Sequence, residues 1–441
     1  MWSRFRRSTG RRASSAPRCC PSVGTRTALS AACCGIPRRR RRRNDESVTE
    51  GRIPLNSIPA LFAYIESQAP RFQTFLERLT AQESFSADRE DVSRAADLTA
   101  DFARSLGFAV EAHAFPRAGK ALAVSCREDA AQAPICFVAH LDTVHPAGSF
   151  PDLLKAAPEG GLYGPGIVDC KGGVAVALLA MAALEAAGVS RPLRLILMPD
   201  EELSNRLTGP DGIDFLQAHA RGCAAAFVCE CGKRDEAVVE RKGILKVRVD
   251  IRGRAAHAGM YYAEGISAVR EAAYQIVALE EQSRPDAVTY NCGRISGGTA
   301  ENVVPETCSY TVDIRYRSET EGESAMAYLR RVTETAHVSG AVSTVTILSR
   351  RSPMPRTEAG MALFDHLRET GLRWGLEDLR PLSNGGGSDA AYTAAAGVPT
   401  VCAVGMTGWD WHSVRERSEP GALIRRAKLL AAAVAEFPER L

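Results

Sequence analysis

Four apolar runs in this chain each lead into residues that can hold a metal ion, and this limits its possible folds more than any other feature. ICFVA ends in His140, with Asp142 two residues on. LRLILMP runs into Glu201 and Glu202, AAFVC into Glu230, and PTVCAVG into a loop bearing His412. Short apolar runs bounded by polar or Gly-rich segments read as buried strands. Between them, GGVAVALLAMAALEAAG and GIDFLQAHA have the length and period of helices. That alternation predicts an α/β fold with a largely parallel sheet covered on both faces, whose ligands gather beyond the carboxyl ends of the strands. Upstream, from about Ile53 to Leu106, SIPALFAYIESQ and SRAADLTADFARSLG place apolar residues at helical spacing, and Gly107 closes the second helix.

The pattern changes after Gly243. ILKVRVDI, SAVREAAYQIVALEEQ, VTYNCGRISGG, CSYTVDIRYR, ESAMAYLRRVTETA and VSTVTILSR follow one another as strand, helix, strand, strand, helix, strand. That order is the split arrangement of a ferredoxin-like α+β domain, expected over residues 244–351. Helices around 359–374, 389–396 and 420–437 then resume the α/β pattern. The small domain is therefore expected as an insertion between two parts of a larger one, residues 48–243 and 352–441. A chain of 441 residues is too long for one ordinary core.

Charge separates off the beginning of the chain. Residues 1–43 carry thirteen arginines and no acid, ending in six consecutive arginines that repel one another. A transit peptide or a nucleic-acid or anionic-lipid arm would share this composition, but nothing before Val48 resembles the rest. Residues 1–47 are read as a disordered extension from a misplaced start, and nucleic acid is not an expected partner. The 45% hydrophobic and 24% charged content is that of a soluble globular protein. No apolar run approaches the ~20 residues that span a bilayer. Of thirteen cysteines, four lie in the extension and nine are scattered through apolar runs. With no disulfide or zinc-knot spacing, the reading is a reducing cytoplasm. Cys229 and Cys231 fit small buried fillers better than ligands.

Asp200, Glu201 and Glu202 follow a buried strand directly. Adjacent carboxylates there lose hydration and repel, and either a bound cation or open solvent would relieve them. Asp169, in LYGPGIVDCKGG, sits at a Gly-flanked turn opening a helix. His113, His219, His337 and His366 read as structural residues of helices or loops, and His145 as an exposed loop residue.

AHLDTV, YGPGIVDCKGG, PDEE, Glu230, RGRAAHAG, NVVPE, GGGSDAA and His412 occur in an order that resembles the dinuclear zinc aminoacylase/carboxypeptidase family over residues 55–437. That family includes glutamate carboxypeptidases, dipeptidases, N-acyl amino acid deacylases and succinyl-diaminopimelate desuccinylase, and its inserted domain serves as lid and dimer interface. The resemblance implies two zinc ions per subunit, with cobalt or manganese as substitutes. Asp169 would bridge them, His140 and Glu230 completing one site, Glu202 and His412 the other. Ions sharing a water lower its pKa. Asp142 would orient His140, and Glu201 would be the general base. His257 would stabilise the oxyanion, often across a dimer. Asn302 and Arg315 would hold a substrate carboxylate, and Gly385–Gly387, with Gly386 central, would receive an anionic substrate end.

Two stretches depart from the family. LSNRLTG follows the glutamates where many members are Gly-rich, so Asn205 and Arg206 bear on the pocket wall. SVRERSE after His412 lacks the common acidic-aromatic pair. The expected function is cleavage of an amide or peptide bond beside a free carboxylate, by a homodimeric glutamate-carboxypeptidase-like exopeptidase. Its partner is a small peptide or N-acyl amino acid, and no membrane is involved. The alternatives are an N-acyl amino acid deacylase, a dipeptidase, or a catalytically silent binding protein on the same fold.

Overall fold

The computed structural model describes residues 57–128 and 130–439, so the arginine-rich extension lies outside the described residues. Helices α1 (Ile58–Ala81) and α2 (Arg89–Ser105) lead into β1 (Ala109–Phe115), β2 (Gly119–Cys126) and β3 (Ile135–His140). Then come α3 (Lys171–Ala186), β4 (Leu193–Met198), α4 (Pro210–Ala220), β5 (Ala225–Val228) and β6 (Glu236–Arg241). The next six elements are β7 (Gly243–Arg252), α5 (Ala268–Glu280), β8 (Thr289–Gly297), β9 (Thr307–Tyr316), α6 (Glu319–Glu334) and β10 (Val342–Arg351). Finally α7 (Glu358–Arg373), β11 (Arg380–Asn384), α8 (Ala390–Ala395), β12 (Thr400–Cys402) and α9 (Ala422–Ala435) return to the first sheet.

That sheet has eight strands in the order β1-β2-β4-β3-β5-β12-β6-β11. Its centre, β4-β3-β5-β12, is parallel throughout, so four carboxyl ends fall on one edge. Antiparallel pairing is confined to β1 with β2, β2 with β4, and the single β12–β6 contact. One face is covered by α1, α3 and α9, the other by α4 and α8. Helix α3 is buried from Lys171 to Leu184, as expected of a helix apolar on every side. Asp88 caps α2 by accepting from the backbone N–H of Glu90 and Asp91 at 3.1 and 3.0 Å.

β7–β10 form a separate antiparallel sheet in the order β10-β7-β9-β8, with α5 and α6 on its core face. His113 lies in β1, not in a helix or loop. β1 is an edge strand with only Phe115 buried, so its sequence shows no apolar face. Strands β6 and β11 were likewise not expected from the sequence. β11 buries none of its residues.

Candidate metal centre

The loops leaving the four parallel strands converge beside the amino end of α3. His140 Nε2 is 3.1 Å from Asp169 Oδ1 and 3.7 Å from Glu230 Oε2. His412 Nε2 is 3.3 Å from Asp169 Oδ2 and 3.2 Å from Glu202 Oε2. Asp169 thus turns one oxygen to each imidazole. Two adjoining ligand sets result, His140–Asp169–Glu230 and Asp169–Glu202–His412, with the ligand atoms of each set within 4.8 Å of one another. The thiol of Cys170 falls within the first set and donates to the Cys229 carbonyl at 3.0 Å. His412 has φ of 57° and Asp410 φ of 60°, a left-handed backbone that costs about 1–3 kcal/mol per non-glycine residue. Strain of this kind is often held at sites of function.

Buried acceptors fix the ligands in place. Asp142 is fully buried; its carbonyl lies 3.0 Å from His140 Nδ1 and its carboxylate 3.3 Å. The same carboxylate accepts from Ser86 Oγ and from the backbone N–H of Glu201 and Glu202, at 2.6, 3.1 and 3.2 Å. One residue therefore orients a histidine of the first set and the loop carrying Glu202 of the second. Ser388 Oγ donates to Glu230 at 2.9 Å. Asp200 accepts from Leu207 N, Thr208 N and Thr208 Oγ1, which makes it a local support for the turn.

Glu416 was not singled out by the sequence. It is fully buried and accepts from the backbone N–H of Gly166, Val168 and Asp169 at 3.2, 2.9 and 3.0 Å. His145 meets it at 3.0 Å. His145 is therefore buried and paired, not an exposed loop residue, because the loop it occupies packs against the segment after His412. The stretch SVRERSE therefore carries a buried structural acid, Glu416.

Electrostatics favour cations at this edge. Burial pushes the Glu202 carboxyl up to about 8, against the pull of His412. Contacts with Asp169 and Glu202 raise the His412 imidazole to about 11. Burial also raises Glu201, opposed by the neighbouring Arg351. Glu202 Oε1 is buried and makes no hydrogen bond among the described residues. An orphaned carboxylate oxygen beside two imidazoles and two more carboxylates is a donor set suited to divalent metal with nitrogen and oxygen ligands.

The cluster opens into a cavity of about 480 Å³ lined by Asp169, Glu201, Glu202, Glu230, His412, Trp411, Gly386 and Arg241, among others. The Arg241 side chain is buried, and its donors go to Cys402 Sγ and to the carbonyls of Gly386 and Gly387, with no carboxylate in salt-bridge range among the described residues. Sequence reading missed it, since nothing in VERKG distinguishes it from a surface charge. Arg315 faces a neighbouring cleft of about 560 Å³ and pairs with Asp313 and the Gly385 carbonyl. His257 and Asn302 are exposed together on the four-stranded unit, joined by the 2.9 Å bond from Ala258 N to the Asn302 carbonyl. Neither lines the metal-side cavity. Asn205 is buried behind Glu201 and is not part of the cavity wall.

An α/β sheet with paired imidazole–carboxylate sets at its carboxyl edge defines the class as a metal-dependent hydrolase. More specifically, the chain belongs to the peptidase family M20/M25/M40, whose model matches residues 136–436 and takes in every residue of both ligand sets. It is 27% identical over 389 residues to carboxypeptidase G2 of Pseudomonas sp. (strain RS-16), a match covering 84% of this chain and 90% of that one. Acetylornithine deacetylase of Myxococcus xanthus is 32% identical over 207 residues, covering 44% of this chain and 52% of the relative. The fold is similar to that of aminopeptidase PepT from Bacillus cereus, with a TM-score of 0.69 at 22% identity, covering 82% of this chain and 97% of that one. Among the described residues, no helix is long and apolar enough to cross a membrane.

Proposed function

We propose that this chain is a two-metal exopeptidase that cleaves an amide or peptide bond beside a free carboxylate, in the manner of a glutamate carboxypeptidase. The observation that carries this reading is Asp169, with one oxygen 3.1 Å from His140 and the other 3.3 Å from His412, next to a buried Glu201 on the cavity wall. Two zinc ions, or cobalt or manganese in their place, would be held by His140, Asp169, Glu202, Glu230 and His412, and would polarise the scissile carbonyl and the attacking water. Glu201 takes the proton of that water and returns it to the leaving nitrogen. Asp142 keeps His140 in one tautomer.

His257 donates to the developing oxyanion. Its Nδ1 accepts from the backbone N–H of Gly259 and Met260, both at 3.2 Å, which leaves the proton of the neutral ring on Nε2. Its exposure on the four-stranded unit suits delivery to a second subunit's site, so residues 244–351 act as lid and dimerisation domain of a homodimer. The catalytic domain is formed by residues 48–243 and 352–441. Arg241, a buried guanidinium on the cavity wall with no salt-bridge partner among the described residues, receives the substrate anion from within the cavity. Asn302, Arg315 and Gly386 complete that recognition when the unit carrying the first two closes. The substrate is a small peptide or N-acyl amino acid and the compartment the cytoplasm. The deacylase named among the relatives keeps N-acyl amino acid hydrolysis as the second reading.

The test is metal content of a chain lacking residues 1–47, measured with hydrolysis of a panel of N-acyl, peptidyl and folyl-type glutamates and other amino acids. Two metals per chain and turnover of a carboxylate-bearing member are expected; a chain that takes up no metal would return the cluster to a solvated acidic edge. Proton release gives an independent check. In the metal-free site burial raises Glu202, and the surrounding carboxylates raise the imidazoles of His412 and His140 above their ordinary value, so these ligands hold protons that metal must displace. Ligation requires a carboxylate and a neutral imidazole, so metal uptake expels those protons and affinity rises with pH. Calorimetry in buffers of different ionisation heat should therefore show a net release of protons on metal binding. Uptake without proton release would mean that other side chains hold the metal.

A further inference from the structure

The last residue of β10, Arg351, reaches out of the four-stranded unit and into the other sheet's loops. It is 3% exposed. Its Nη1 forms an ion pair with Glu201 Oε1, while Nη2 donates to the Glu201 carbonyl and to Asn205 Oδ1, both at 2.9 Å. The guanidinium therefore grips Glu201 at side chain and backbone together. Its own backbone is held in the four-stranded unit, because Tyr316 Oη donates to the Arg351 carbonyl at 2.9 Å and Arg351 pairs with Ile244. Gly387 leaves room for the side chain, since a Cβ there would sit 2.9 Å from Arg351 Cδ.

Arg351 does not line the metal-side cavity, whereas Glu201 does. With Oε1 held from behind and no hydrogen bond to Oε2 among the described residues, one carboxylate oxygen is left for the cavity. Asn205 has φ of 55° and follows Ser204 at 57°, so the chain turns sharply to bring its amide oxygen onto the guanidinium. This accounts for a bulky residue where the family resemblance expects small ones.

We propose that Arg351 is a positioning residue for Glu201: a guanidinium carried by the four-stranded unit that fixes which oxygen of the base faces the cavity, so that turnover depends on how that unit is seated. The inference rests on the reading of Glu201 as general base. Misplacing a catalytic group by about 1 Å costs on the order of 100-fold in rate. Arg351→Met is therefore expected to lower kcat by about 10- to 100-fold, with KM and metal content unchanged, for the fastest substrate of the panel. Arg351→Lys keeps the charge but not the fork that spans three acceptors, and should recover little. Guanidinium ion added to Arg351→Ala should restore part of the lost kcat. Asn205→Ala, which leaves the ion pair in place, should lower kcat in the same direction by less, and it carries the test where the arginine variants do not fold. In the metal-free protein, backbone amides of residues 201–205 should exchange faster in Arg351→Met.

Glu201→Gln is measured in parallel. If it is inactive while folded, metal-replete Arg351→Met or Asn205→Ala turns over normally, the positioning role is overturned and the base stands. If Glu201→Gln itself turns over normally, the reading of the base fails first. A loss shared equally between kcat and metal content would make Arg351 a structural strut and overturn the proposal.

Discussion

Glu201→Gln should leave the metal content at its wild-type level and lower kcat by about 100- to 10,000-fold, the span over which a positioned general base contributes. The substitution is nearly isosteric, and the remaining carbonyl oxygen still accepts from Arg351, so the cavity keeps its shape. The neighbouring acids cannot substitute for the base. Both oxygens of Asp200 are taken up by Leu207 and Thr208. Glu202 faces His412 within the second ligand set. Glu201 is the acid of the three that lines the cavity yet belongs to neither ligand set. Burial raises its carboxyl above the ordinary range, which suits a group that must accept a proton near neutral pH. Metal analysis beside steady-state kinetics checks this, and normal turnover in a metal-replete variant would remove Glu201 as the base.

What the sequence disclosed about this site has a physical boundary. His140, Glu202, Glu230 and His412 each follow a buried strand, and an apolar run that stops at a polar residue marks a strand end without help from the rest of the chain. The ferredoxin-like order of β7 to β10 was legible from its two central strands, since β7 and β9 alternate buried with more exposed residues. Edge strands β1 and β11 expose nearly every residue, so they have no period to read. Burial of charge was also invisible. Arg351 meets Glu201 across 150 residues and Glu416 meets Val168 across 248. Arg350 and Arg351 are adjacent and identical in type, yet the first is exposed and pairs with Glu319 while the second is buried against the base. That difference arises only when two sheets meet, and no local pattern encodes it. Asp142 was expected to orient His140; that it also accepts the backbone of Glu201 and Glu202 depends on a contact that local spacing does not reveal.

Glu416→Ala is expected to be the most damaging substitution outside the ligand sets. One carboxylate there satisfies three backbone donors, from Gly166, Val168 and Asp169, and also His145. Each buried donor left without a partner costs about 1–3 kcal/mol. Removing the shared acceptor should therefore cost roughly 3–5 kcal/mol, the range seen when one partner of a buried charged contact is deleted. Asp169 contributes an oxygen to both ligand sets, so loosening its loop weakens both together, whereas loss of Glu230 or Glu202 touches one. Glu416→Gln keeps one acceptor for Val168 and Asp169 but turns an N–H₂ group toward Gly166 N or His145. It should fall between wild type and alanine. Urea unfolding of the metal-free protein and metal titration of the folded one separate the two effects. Wild-type stability with wild-type uptake at both sites in Glu416→Ala would mean that the Asp169 loop is held by α3 alone.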